Sequence, residues 1–481
     1  MDQRKKQAVV LVHGIGEQRP MQTVREFVKS IWVKDTELSN TRFWNKPSEV
    51  SESFEHRRLT TDYAKIKHSS ASKTTSRVDF YEYYWAHHTV GTTMEHLKSW
   101  LFTLLARRPA EFPKALQPLI FLVWGLIFAI SFITFLILIG STTGAESQQL
   151  EYMSWAHVKS IIYIMIKPLL LAILAWVLWK VVRYLGDVAR YITASPSNIK
   201  VRQAIRDGGV TLLESIVATG NYDRIVLVGH SLGSVIAYDI LSQYWARSNK
   251  FKNQNGKGLA LTAEALNIIH QMESMDNQPN AQQYRSLQNQ LFNQLQIDCA
   301  MADKAKLKHT PWLISDLITL GSPLTYADFL LFESKHEFND RKLDRQYPTS
   351  PPVKENEHYY YQTDKDKYLH HGAVFSLVRW TNIYSKAFKI FGGDLVSGPV
   401  SRAFANPQIT ATSQQSEAQP DTPIMDINVQ AAYPGRYPRL FTHTHYWRWH
   451  TEFESACPDH ITALREAINL KGHIGVTKLN Q

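Results

Sequence analysis

The hydrophobic positions of this 481-residue chain fall into two patterns. In the first, short runs of Val, Ile, Leu and aromatic residues alternate with stretches of helical period, the signature of a parallel α/β sheet. The expected strands are Ala8–Val12, Arg77–Tyr84, Arg224–Val228, Leu313–Leu320 and Phe375–Tyr384, each brief and rich in Val, Ile, Leu or aromatic residues, as strands covered on both faces should be. Helices are expected over Met21–Val33 and Leu232–Trp245. Segment Ser51–Ser76 is polar and basic and reads as a loop, and residues 406–423, rich in Gln, Ser, Thr and Pro, read as a mobile loop. Residues 259–302 carry two polar helical stretches that belong to no core strand, a surface insertion or lid.

The second pattern is continuous. No residue from Ala115 to Ala145 is charged, and Leu119–Gly140 is almost wholly apolar; about 20 such residues suffice to cross a bilayer as a helix. A second run, Ile161–Trp179, is interrupted by Lys167-Pro168, which membrane helices tolerate near their ends. A transmembrane helical hairpin (about 117–140 and 161–182) is therefore expected within residues 115–185, inserted between a part at 1–110 and the remainder at 195–481. Arg107, Arg108 and Lys114 precede the first run and Lys180, Arg183 and Arg190 follow the second, whereas the intervening loop carries Glu146 and Glu151 against Lys159. The positive-inside rule then puts the loop outside and everything else on the cytoplasmic side, an integral membrane protein of two spans.

Composition narrows the picture. With 44% hydrophobic and 20% charged residues the chain is of the folded class. Its net charge of +10 suits either nucleic acid or an anionic lipid surface; no nucleic-acid module is visible, and many basic residues stand beside the apolar runs, which favours the lipid bilayer. Two distant cysteines, Cys299 and Cys457, give no disulfide framework and no metal spacing. The basic start, Met1 to Lys6, precedes an apolar run shorter than the roughly 7–15 residues of a secretory signal, so it reads as the entry to the first strand.

The chemistry sits in Gly229-His230-Ser231-Leu232-Gly233. Chance alone places such a Gly-x-Ser-x-Gly in roughly one chain of this length in six, so its flanks decide. Ile225 to Val228 before it is a buried-strand run, and Ser234 to Tyr238 after it opens an apolar-faced helix. That strand–turn–helix would hold Ser231 in a strained conformation with its hydroxyl at a helix N-terminus. An oxyanion hole needs two backbone N–H groups. Leu232 supplies one, and the loop His13-Gly14-Ile15-Gly16 after the first strand supplies the other through Ile15, with His13 as a loop-packing residue. Asp394, in Gly392-Gly393-Asp394, follows a late strand and suits the acid; Asp364 and Asp366, in a charged loop, are weaker candidates. The base is sought in His443-Thr444-His445, with His450 nearby. Glu82 and Trp85 end an early strand near the same edge without an assigned role, and Ser322 is expected to shape the loop beneath the site.

These features resemble the α/β-hydrolase superfamily, in particular its lipase and esterase branch, with a more distant similarity to the GPI inositol-deacylase group. The resemblance rests on the His13-Gly14 loop, the Ser231 elbow, the strand ending Leu320-Gly321-Ser322-Pro323, the late acid and the C-terminal histidine, in the order Ser, acid, His. It implies an α/β-hydrolase fold, a mostly parallel sheet with helices on both faces. It also implies a serine esterase working through an acyl-enzyme without cofactor, and it prefers His443 over the alternate base His445. The inserted hairpin departs from the family and points to an acyl-lipid or phospholipid ester as substrate. Two other classes remain open: a hydrolase-fold scaffold or binding protein without turnover, and a metal-dependent hydrolase using His443, His445 and His450, whose spacing matches no metal-ligand pattern. With Ser231 and His13 in one site, the chain must cross the membrane an even number of times.

Overall fold

The computed structural model describes residues 4–15, 19–50, 57–66, 75–89, 107–108, 111–114, 116–142, 172, 191–192, 196–249, 259–275, 280–304, 311–332, 334–363, 366–387, 392–410, 422–431, 442–449 and 456–471. The chain divides into two compact units, Met1–Val90 with Ala194–Gln481, and Gly91–Thr193. In chain order the first contains β1 (Arg4–Val12), β2 (Phe43–Pro47), β3 (Arg57–Thr61), β4 (Thr75–Tyr83), β5 (Arg224–His230), β6 (Ile314–Leu320), β7 (Tyr360–Gln362), β8 (Lys367–Leu369), β9 (Arg379–Tyr384) and β10 (Met425–Asn428). Eight form one sheet in the order β10-β9-β6-β5-β1-β4-β3-β2, and β7 and β8 pair separately. Neighbours from β10 to β4 run parallel; the β4–β3 and β3–β2 pairs are antiparallel. The α/β class expected from the sequence is present.

Side chains alternate across this sheet with period two. Val9 and Leu11 of β1, Val226 and Val228 of β5 and Ile318 and Leu320 of β6 share a core with Val24 and Phe27 of helix Gln22–Val28 and Leu464 and Ile468 of helix Asp459–Ile468. Toward the other face, Tyr238 of helix Leu232–Ser248 packs on Trp380 of β9, with ring centroids 5.5 Å apart. Every residue of β5 and β6 is buried, including Ser315, Asp316 and Thr319 among the apolar residues of β6. At their N-terminal ends Asp316 accepts from Arg224 (2.5 Å) and Arg379 (2.9 Å). Burial would raise its carboxyl, but Arg379 and Arg224 hold it well below the usual carboxylate range. The C-terminal ends of β1 and β5 carry the expected chemistry.

Three segments differ from their sequence reading. Ser51–Ser76 is not only loop: it contains β3 and the start of β4. The signal is hidden because many of the buried groups there are polar. Thr61 Oγ1 accepts the Val78 N–H at 2.9 Å, and Arg58 reaches Asp79 at 3.4 Å. The strand expected over Phe375–Tyr384 begins only at Arg379, after a 3-10 turn at Val374–Ser376. The carbonyls of Phe375 and Val378 accept from the Gln288 side chain at 2.7 and 3.1 Å instead of from a neighbouring strand. Residues 259–302 do form two helices, Ala263–Ser274 and Ala281–Lys304, yet the second packs on the sheet. Arg285 donates to the Trp380 carbonyl (2.8 Å) and Thr381 Oγ1 (3.0 Å), at the end of β9 remote from the elbow. Helix Ala281–Lys304 thus packs against the end of β9. Residues 411–421 of the expected mobile loop lie outside the described residues.

The second unit contains a 26-residue helix, Gln117–Thr142, without a charged residue. Over the positions whose side chains are described, no helix is long and apolar enough to cross a membrane. Of residues 161–182 only one is described, so the expected hairpin is not shown.

Candidate active site

Gly229 and His230 end β5, and the chain turns at Ser231 (φ 53°, ψ −129°) directly into helix Leu232–Ser248. A non-glycine residue at positive φ is strained, and such strain persists only where its surroundings enforce it. The Ser231 N–H donates to the Leu320 carbonyl at 2.9 Å. From below, the Ser234 hydroxyl donates to the Ser231 carbonyl at 2.5 Å and meets Ser322 Oγ at 2.6 Å, and Ser322 accepts the Leu324 N–H at 3.2 Å. Ser322 thus buttresses the elbow, as its position in Gly-Ser-Pro suggested. Gly233 is required by close approach: a Cβ there would stand 2.3 Å from the carbonyl oxygens of Val12 and His13.

His443, in a 3-10 turn at Thr442–Thr444, brings Nε2 to 2.8 Å from Ser231 Oγ. Its Nδ1 lies 2.9 Å from Asp394 Oδ2. The alternate base, His445, does not reach the serine; its N–H donates to the Thr442 carbonyl at 2.9 Å, closing the turn that presents His443. Asp394 follows β9 and is almost completely buried, with Oδ1 accepting the Val396 N–H at 2.9 Å and Oδ2 accepting the Tyr446 hydroxyl at 2.7 Å. Burial works to raise its carboxyl, but His443, Tyr446 and Ser397 outweigh it and bring it down to about 2. The carboxylate is therefore charged throughout the neutral range. Ser231 is only 4% exposed while the His443 side chain is 25% exposed, so the site opens on the imidazole side.

The loop after β1 lies against the elbow. A Cβ on Gly14 would fall 2.9 Å from Ser231 Cβ, which sets the Gly14–Ile15 peptide alongside the serine. Leu232 opens its helix, where the N–H has no intrahelical acceptor. Two residues without a role in the sequence reading hold that loop. Trp85 stacks on His13 (5.1 Å, 10°) and donates from Nε1 to the His13 carbonyl at 2.8 Å. Glu82, from the same end of β4, accepts the Met21 N–H where the loop enters helix Gln22–Val28. His230 reaches sideways and donates from Nε2 to the His443 carbonyl at 2.7 Å. Tyr446 was missed too; its hydroxyl also accepts the Ser385 N–H at 3.1 Å, tying the base's loop to the acid's. Only the aromatic residues after His443 hinted at it.

Both ring nitrogens of His443 are engaged, so it has none to offer a metal, and His450 lies outside the described residues. In chemical terms the arrangement can move the Ser231 proton to His443 Nε2 while Asp394 stabilises the resulting cation. Leu232, the residue after Ser231, opens the helix with its N–H free of an intrahelical acceptor.

Buried imidazoles make stability pH-dependent. Burial lowers His13 to about 4, and His230 and His370 to about 3, from an ordinary 6.5. The unfolded chain binds these protons first, so their contribution is complete above about pH 6.5 and is lost as pH falls toward 4. Glu82, pushed up to about 7 by burial, acts in the opposite sense between its ordinary 4.5 and that value. The lowered imidazoles outnumber the one raised carboxyl, so stability should fall as pH drops below about 6.5. Denaturant melts from pH 7 to 5 should show falling stability; a flat profile would mean these rings are charged in the folded chain.

Comparison with protein-family models, curated proteins and solved structures finds no match for this chain.

Proposed function

We propose that the chain is a serine hydrolase of the α/β-hydrolase type that cleaves carboxylic esters through an acyl-enzyme. The observation that carries this reading is the continuous relay Ser231 Oγ, His443 Nε2, His443 Nδ1, Asp394 Oδ2, with links of 2.8 and 2.9 Å, on a serine held at φ 53°. His443 takes the hydroxyl proton as Ser231 attacks the ester carbonyl, then returns it to the departing alcohol; water repeats the sequence to release the acid. The N–H groups of Leu232 and Ile15 are assigned to the oxyanion, reinforced by the positive end of helix Leu232–Ser248. A scaffold without turnover would have no need of the strained serine or of the buried, charged acid behind it. A fluorophosphonate probe tests the proposal: the folded, detergent-solubilised chain should be labelled at Ser231, and failure to label overturns it.

The substrate class follows from location. Helix Gln117–Thr142, about 39 Å long at 1.5 Å per residue, exceeds the ~30 Å of a bilayer core. It leaves Phe121, Phe128, Phe132 and Phe135 half or more exposed, a face that calls for an apolar environment. The residues flanking this insertion belong to one unit, which supports an even number of crossings if the insertion enters a membrane. We therefore place the site at the cytoplasmic membrane face, with an acyl-lipid or phospholipid ester as substrate. The protein should stay in the pellet after alkaline carbonate extraction, and that pellet should release fatty acid from phospholipid vesicles. Release of the protein into the supernatant, or hydrolysis confined to water-soluble esters, overturns this placement.

A further inference from the structure

A second convergence of ligand-type side chains shares no residue with the Ser231 triad. His270 and Glu273 stand one turn apart on helix Ala263–Ser274, and His358 lies on the segment entering β7. One ligand atom from each lies within 4.8 Å of the other two. We propose that these three residues form a divalent transition-metal site whose best-suited ion is zinc, clipping this helix to the β7–β8 hairpin.

Two imidazoles and one carboxylate are a borderline donor set. It suits zinc, whereas magnesium and calcium prefer oxygen alone. The carboxylate is already positioned. Glu273 is buried, its Oε1 accepts the Tyr359 N–H at 2.7 Å, and its Oε2 faces His358 Nδ1 at 3.2 Å. Two ligands of a tetrahedral zinc at ~2.0–2.1 Å stand about 3.3–3.4 Å apart, so this pair is at the required spacing before any ion enters. His270 is exposed and its ligand nitrogen lies within 4.8 Å of the other two ligand atoms; its Nε2 meets the Tyr360 hydroxyl at 3.1 Å, a group able to orient the ring. Its exposure also provides the route by which an ion arrives.

The site lies on the last turn of its helix, where the carbonyl end of the dipole favours positive charge. Lys354 already uses that preference, donating to the Glu273 carbonyl at 3.0 Å, and Lys367 Nζ stands 4.9 Å from the Tyr360 ring centroid. Their charge subtracts from the affinity for a metal, which three protein ligands must exceed. Just before the helix, the Leu261 N–H donates to the Lys367 carbonyl of β8 at 2.9 Å, a link that the ion would reinforce from the helix's other end. Metal at this position is a structural clip, and it stands or falls independently of the hydrolase reading.

The full-length protein, stripped by chelator and titrated with Zn²⁺ against a competing chromophoric chelator, should bind one ion per chain and melt at a higher temperature when loaded. Co²⁺ in its place should give the visible bands of a tetrahedral site. His270→Ala, at an exposed position that leaves the fold intact by circular dichroism, should weaken zinc binding by roughly 100-fold and remove the thermal shift. His358→Ala should do the same. No zinc uptake by the wild-type chain overturns the proposal, as does an affinity unchanged in His270→Ala. Uptake that disappears in His443→Ala instead moves the ion to the histidines beside Ser231 and equally overturns it.

Discussion

Ser231→Ala is expected to lower kcat for a short-chain nitrophenyl ester by about 10⁶-fold with little change in KM, and to abolish fluorophosphonate labelling. The size follows from geometry. The nucleophilic oxygen is removed, while the backbone that held it, with its 2.9 Å bond to the Leu320 carbonyl, is untouched. Alanine tolerates φ 53° no better and no worse than serine, so the elbow and its helix should persist, as circular dichroism would show. His443→Ala should cost about as much, and the double variant no more than either alone, because serine and imidazole act as one unit through their 2.8 Å contact. A Ser231→Ala chain keeping a tenth of the activity would transfer catalysis to another group.

The elbow was legible because every part of its signal is contiguous: the buried run of β5, the pentapeptide and the helix that follows lie within the 25 residues Arg224–Ser248. The partners were legible only in order. Asp394 could be picked by its place after a late strand, but His443 and His445 look alike in one dimension. The Thr442–Thr444 turn distinguishes them by sending one ring toward Ser231 and using the other residue's N–H to close itself. Long-range polar pairing hid the rest. Tyr446 acts through bonds to Asp394 and Ser385, 52 and 61 residues away, and Trp85 through His13, 72 residues away. The same cause concealed β3, in which Leu59 is the sole aliphatic residue and the buried Arg58 pairs with Asp79 of β4. Hydrophobic period detects burial of apolar groups and is blind to burial of paired polar ones.

That polar pairing gives the acid its importance, and Asp394→Asn should lower kcat/KM by about 10³- to 10⁴-fold while leaving the fold intact. Asp394 Oδ2 accepts from two donors, His443 Nδ1 at 2.9 Å and the Tyr446 hydroxyl at 2.7 Å, and Oδ1 accepts from the Val396 N–H at 2.9 Å. An asparagine must place its NH₂ on one of these sides. Facing Oδ2's partners, it opposes two donors; the cheapest relief is for His443 to carry its proton on Nε2, the tautomer that cannot accept from Ser231. Facing Val396, it opposes a backbone N–H and still removes the negative charge that stabilises the imidazolium. Either orientation damages the proton transfer and neither touches the substrate, so the loss should fall on kcat, and the labelling rate should drop in parallel. Tyr446→Phe removes one donor and leaves the carboxylate paired with His443, so its effect should be ten- to a hundredfold smaller than that of Asp394→Asn. If Asp394→Asn stays within tenfold of wild type, Asp394 merely packs behind His443, and the serine is activated without it.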